Sequence, residues 1–126
     1  MTSSKTRHNT LSLLRRRDRE KALEELDAAL MESDKIASDL DSIESTITAL
    51  NTHLGDAQIS GKATGRDLQM CLEGRQHTRY ELKRYLAKEQ EVRNIALSAS
   101  ERVARAKEAV AKAQKALRAL EKDESD

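Results

Sequence analysis

The sequence predicts an all-α fold, namely an elongated antiparallel two-helix coiled-coil hairpin formed by residues 1–126 as a single domain. Charged residues make up 36% of the chain and aromatic residues only 2%, a composition typical of long helices. The chain has no proline, and three of its four glycines fall within residues 55–65. On both sides of that segment, apolar residues recur at alternating spacings of three and four, the pattern of helices that wrap on one another.

The first helix is expected over about residues 10–54. Residues 1–9 are polar and predict a loose tail, and Thr10 is a suitable N-cap. Gly55 follows the last apolar residue at the position where glycine commonly ends a helix. The expected apolar face consists of Leu11, Leu14, Leu23, Leu26 and Leu30 and then, after a slip of about one position, Ile36, Leu40, Ile43, Ile47, Leu50 and Leu54.

The second helix is expected over about residues 66–122. Thr64 can cap it, with Asp67 three residues later in a variant of the capping box. From Val92 onward every seam position is apolar, and no glycine follows Gly74. The predicted seam contains Leu68, Cys71, Arg75, Thr78, Leu82, Tyr85, Glu89, Val92, Ala96, Ala99, Val103, Ala106, Val110, Ala113, Leu117 and Leu120.

A loop over residues 55–65 joins the two helices and requires them to pack antiparallel. With the turn at that position, the numbers of facing residues should sum to about 120. Arg75 would then lie near Glu44. A first helix that starts at Thr10 would also leave Leu117 and the stripe beyond it without a partner. Two alternatives remain open: the N-terminal tail covers this stripe, or another protein does.

Catalysis and cofactor binding are not expected. The loop is similar to a phosphate-binding loop, but five residues separate Gly55 from Gly61, and Ala63 stands where a magnesium-binding hydroxyl is required. Cys71 and His77 do not share a helix face, so no metal site is expected. A two-helix hairpin offers no enclosed pocket for a nucleophile and a base. We therefore expect a protein that is not an enzyme and has no cofactor.

The charge distribution is uneven although the net charge is only +1. Residues 1–21 contain seven Lys and Arg against two acids, residues 22–60 one against nine, and residues 61–126 fifteen against eleven. The chain has one cysteine, no membrane-length apolar run and no apolar signal sequence at its N-terminus. These features predict a cytoplasmic protein without direct membrane insertion.

The candidate protein-binding residues are mostly basic and apolar side chains near the two chain termini. Nucleic-acid binding is disfavoured, because aromatic stacking groups and a recognition motif are missing. The favoured interpretation is a solvated face whose basic residues pair with neighbouring acids, and binding to an acidic protein surface stays open as a third option. The candidates are Arg15, Arg16, Arg17, Arg19, Lys115, Leu117, Arg118 and Leu120, together with the outward-facing Tyr80 and Leu97.

The proline-poor hairpin with an Arg-rich first helix and a mid-chain glycine loop resembles the FliJ-like stalk proteins. This family includes the flagellar export protein and the YscO/HrpO-type proteins of type III secretion. The most local likeness is the run Ser-Gly-Lys-Ala-Thr-Gly-Arg at residues 60–66, which is similar to the turn that opens the family's second helix. Residues 67–72 lack the aromatic side chains of flagellar members, which favours the plant-pathogen secretion branch.

The resemblance implies a non-enzymatic central stalk in a type III secretion or flagellar-type export apparatus. Its terminal end would insert into the hexameric secretion ATPase, and its loop end would point toward the export gate protein. It would act at the cytosolic face of the membrane-embedded apparatus, and it could also escort secretion chaperones. Two alternatives remain: a generic cytosolic coiled-coil adaptor or chaperone and, less favoured, a nucleic-acid-associated helical protein.

Overall fold

In the computed structural model, which describes residues 2–56 and 65–125, the chain forms two long α-helices. Helix α1 spans Thr2–Asp56 and helix α2 spans Gly65–Ser125. The helices pack against each other, and no strand is present among the described residues. The predicted all-α two-helix hairpin is confirmed. The predicted cap at Thr64 lies outside the described residues.

The contacts divide the chain into two compact units, each built from a segment of both helices. Unit 1 comprises Met1–Asp34 and Leu97–Asp126. Unit 2 comprises Lys35–Ala96. The first part of α1 and the last part of α2 therefore belong to the same unit.

The helix ends differ from the prediction. Residues 2–9 are helical rather than a loose tail, because nothing in this polar segment interrupts the helix that follows it. Thr10 lies inside α1, where its hydroxyl donates a hydrogen bond to the carbonyl oxygen of Thr6 at 2.9 Å, so it is not an N-cap. Gly55 also lies inside α1 and has no positive φ, so it does not end the helix in the left-handed conformation.

The seam of unit 1 is built largely from small residues. Ala29 is the most deeply buried residue of this unit, with 1% of its surface exposed. Short side chains let two helices approach closely while burying little area. The covered positions on α1 are His8, Ser12, Arg19, Ala22, Leu26, Ala29 and Ser33. Those on α2 are Ala99, Val103, Ala106, Val110, Ala113, Ala116, Leu117 and Leu120.

The apolar face expected for the start of α1 is wrong at four leucines. Only Leu26 of the predicted set is covered; the exposed ones are Leu11, Leu14, Leu23 and Leu30. Steps of three and four counted backwards from Ile36 reach Ser33, Ala29 and Ala22, which are the residues that the structure covers. The heptad phase therefore continues without the predicted slip. Alanine and serine occupy seam positions here, whereas the apolar face predicted for this segment contained only leucines.

The seam of unit 2 follows the predicted positions. Ile43 and Ile47 are the most buried apolar residues here, and Thr78 is buried with its hydroxyl donating to the Gly74 carbonyl oxygen at 2.9 Å. Tyr85 is half-buried, and the Lys88 ammonium lies 5.8 Å from its ring centroid. On α2 the covered positions include Cys71, Arg75, Thr78, Leu82, Tyr85, Glu89, Val92 and Ala96, whereas Leu68 is exposed.

The register between the helices also differs from the prediction. In unit 2, Glu44 pairs with Arg93 at 3.1 Å rather than with Arg75, and these two numbers sum to 137. In unit 1, Glu32 pairs with Arg102, and their numbers sum to 134. When the covered residues of α1 near each pair are matched with the covered residues of α2, the numbers of facing residues sum to roughly 132 in each unit. Because the seam repeats every seven residues, the position of the loop alone does not determine whether the numbers of facing residues sum to 118, 125 or about 132.

Candidate protein-binding surface

The outer side of α1 in unit 1 carries leucines that the seam leaves uncovered. Leu13 is 61% exposed and Leu14 is 49% exposed. Their exposure follows from the heptad phase. The covered positions on either side are Ser12 and Arg19, and a leucine one or two residues beyond a seam position points away from the partner helix.

These leucines lie beside exposed arginines. Together, Leu13, Leu14, Arg16 and Arg17 form what we call the apolar-basic surface. They line a shallow groove on α1 whose walls are completed by Thr10 and Glu20. Such a surface can bury an apolar side chain of a partner while its guanidinium groups meet the partner's carboxylates.

The four predicted arginines of α1 have different environments. Arg15 forms an ion pair with Asp18 at 3.8 Å, and Arg19 is half-buried in the seam. The Nε of Arg19 is buried without a hydrogen-bond partner among the described residues, so its aliphatic stem is part of the packing. Arg16 and Arg17 are exposed. They are the two arginines whose charge is available to a partner.

The expectation that Leu117 and Leu120 lie beyond their partner helix is wrong. Leu117 is 5% exposed and Leu120 is half-buried. Helix α1 begins at Thr2 instead of Thr10, and the register of unit 1 places these leucines opposite residues 12–15. Neither alternative describes this coverage, because residues 12–15 belong to the expected first helix and not to the tail of residues 1–9. The register brings α1 itself over the two leucines. The two leucines stabilise unit 1 and are not free for a second protein.

The remaining candidates are exposed, each in its own unit. Lys115 and Arg118 are exposed on α2 in unit 1, and so is Leu97, which is 66% exposed. Tyr80 is exposed too but belongs to unit 2. Their outward positions agree with the heptad assignment, although exposure alone assigns none of them a partner.

The sequence prediction missed Leu13 and Leu14 as surface residues, as well as Met31, which is 73% exposed. A strict backward count of the heptad from Ile36 would have found all three, because it places them on the side opposite the seam.

No group of three or more His, Cys, Asp or Glu side chains is arranged to hold a metal ion in residues 2–56 and 65–125. Neither of the two described helices contains a stretch long and apolar enough to cross a membrane.

No protein-family model matches this sequence, and comparisons with curated proteins and with solved structures give no match either.

Proposed function

We propose that this chain is a non-enzymatic coiled-coil protein whose terminal segments bind a partner protein. We further propose that the partner is the hexameric ATPase of a type III secretion or flagellar-type export apparatus. In this role the chain is the stalk of the apparatus at the cytosolic side of the membrane, and its loop end approaches the export gate protein. Escort of secretion chaperones is a further task that the resemblance implies.

The observation that carries this proposal is the apolar-basic surface near the chain termini. Exposed leucines beside unpaired positive charge are typical of a contact that is stabilised by apolar burial and oriented by charge. Leu13 and Leu14 would supply the apolar contact, and Arg16 and Arg17 the charge. Acidic side chains inside an ATPase ring would be the complementary partner.

The experiment measures binding of the purified chain to a cognate secretion ATPase by surface plasmon resonance. The double variant Leu13→Ser with Leu14→Ser should weaken binding about thirtyfold, because each partly exposed leucine contributes roughly 1 kcal/mol on burial. The double variant Arg16→Glu with Arg17→Glu should mainly slow association, and this effect should decrease as salt is added.

Matched control variants are available in unit 2. Met70→Ser removes an exposed apolar side chain, and Arg66→Glu reverses an exposed charge. Both should bind the ATPase like the parent. Loss of binding in these controls, with no effect of the leucine or arginine variants near the terminus, would assign ATPase binding to the loop end and refute the proposal.

A further inference from the structure

Helix α1 carries a second heptad stripe in unit 1, on the side opposite its seam with α2. Its residues follow one another at spacings of three, four, three, four and three, which is the spacing of a helix-packing seam. All six are exposed, and Met31 at one end is 73% exposed. We call this set the outer stripe: Leu14, Arg17, Lys21, Glu24, Ala28 and Met31.

The charges of the outer stripe have no partner among the residues that the structure describes. Arg17, Lys21 and Glu24 form no ion pair or side-chain hydrogen bond with any residue that the structure describes, whereas Arg15 and Arg102 in the same unit do. Arg17 and Lys21 are also four residues apart on one helix face, where like charges repel. An added surface with the opposite order of charge would relieve this repulsion.

The outer stripe is complementary to itself when its direction is reversed. Read from the N-terminus it is apolar, basic, basic, acidic, small, apolar. In an antiparallel pair about a twofold axis, facing numbers sum to about 45, so that each contact occurs twice. Leu14 would then face Met31, and Lys21 would face Glu24. Arg17 would face the small Ala28, which leaves room for its guanidinium.

We propose that the outer stripe binds a second copy of this chain, antiparallel, in an isologous dimer. Charge complementarity selects this occupant, since a parallel pair in register would place Lys21 on Lys21 and Glu24 on Glu24. Six stripe positions bury less than the roughly 1,200 Å² of a standard stable interface, so the dimer is weak and depends on concentration.

Dimer formation through the outer stripe is a property beyond the proposed stalk function, and it also limits that function. Leu14 and Arg17 belong both to the outer stripe and to the apolar-basic surface. A chain paired through the outer stripe therefore cannot present this surface to an ATPase. Dimer formation and ATPase binding exclude each other, and each lowers the apparent affinity of the other by mass action.

The test is sedimentation equilibrium of the full chain, without any ATPase, up to about 0.5 mM because the interface is small. The parent should show a monomer–dimer equilibrium. Lys21→Glu places four acids around the twofold axis, and Glu24→Lys places four bases there. Each single variant should raise the dimer dissociation constant roughly tenfold or more.

Two further measurements, in which opposite charges face each other again in the dimer, make the test specific. An equimolar mixture of Lys21→Glu and Glu24→Lys chains should form a heterodimer of parent-like strength, because both contacts again join opposite charges. A chain with both substitutions should form a homodimer for the same reason. Arg79→Asp, an exposed charge change in unit 2, should dimerise like the parent, and circular dichroism should show equal helix content throughout.

A parent chain that remains monomeric at 0.5 mM would overturn the proposal. Single variants that dimerise like the parent, or a mixture without restored affinity, would overturn the antiparallel pairing. These variants leave the apolar-basic surface unchanged, so their ATPase binding can be measured separately, and either proposal can fail without the other.

Discussion

Truncation of Leu117 tests most directly how unit 1 is packed. Replacing leucine by alanine removes three carbon atoms, each contributing about 0.8 kcal/mol when buried. Leu117 is 5% exposed, so Leu117→Ala should lower the free energy of unfolding by roughly 2–2.5 kcal/mol. The matched control is Leu97→Ala, on the same helix and in the same unit but 66% exposed. Since only about a third of the Leu97 surface is buried and alanine is the better helix former, Leu97→Ala should change the free energy of unfolding by less than ~0.8 kcal/mol.

Urea unfolding followed by circular dichroism at 222 nm measures both differences, provided that the slopes of the transitions stay equal. A result in which the two variants are equally destabilised, or in which Leu117→Ala has no effect, would refute the register of unit 1. It would instead favour the alternative in which Leu117 is free to bind another protein.

Three further predictions concern unit 2. Gly74→Ala should stabilise the chain by roughly 0.5–1 kcal/mol in the same urea assay, because the glycine lies in a helix with no atom within 4 Å of an added Cβ. Arg93→Ala should cost less than ~1 kcal/mol, and the difference should disappear in 1 M salt, since the arginine and its partners are partly exposed. With the native cysteine replaced by serine, oxidation should crosslink the pair Ile43→Cys with Glu89→Cys, but not the control pair Ile43→Cys with Arg75→Cys.

The seam of α2 could be predicted from sequence because its apolar residues follow the heptad without ambiguity. From Val92 onward, every expected seam residue is covered in the structure. The start of α1 could not be predicted in the same way. Its leucines are more conspicuous than Ala22 and Ala29, yet the alanines form the seam because helix packing depends on the phase of the repeat, and hydrophobicity alone does not set that phase.

The candidate surface was predicted only in part. Arg16 and Arg17 were identified from the charge of the segment, whereas Leu13 and Leu14 required the correct phase of α1. Whether Leu117 is covered by α1 depends on the register. A periodic seam fits equally well when one helix is shifted by seven residues, so the sequence leaves the register open. Long-range ion pairs such as Glu44 with Arg93 resolve it, and a sequence by itself does not reveal which of many such pairs form.

The distribution of chromophores follows from this architecture. The chain has no tryptophan, and both of its tyrosines, Tyr80 and Tyr85, lie in unit 2. Tyrosine fluorescence therefore reports on unit 2 alone, while far-ultraviolet dichroism reports on the helix in both units. Superimposable melting curves from the two signals would mean that the chain unfolds as one cooperative block. Separated curves would mean that each unit melts with its own midpoint, and unlabelled protein would be enough to distinguish the two.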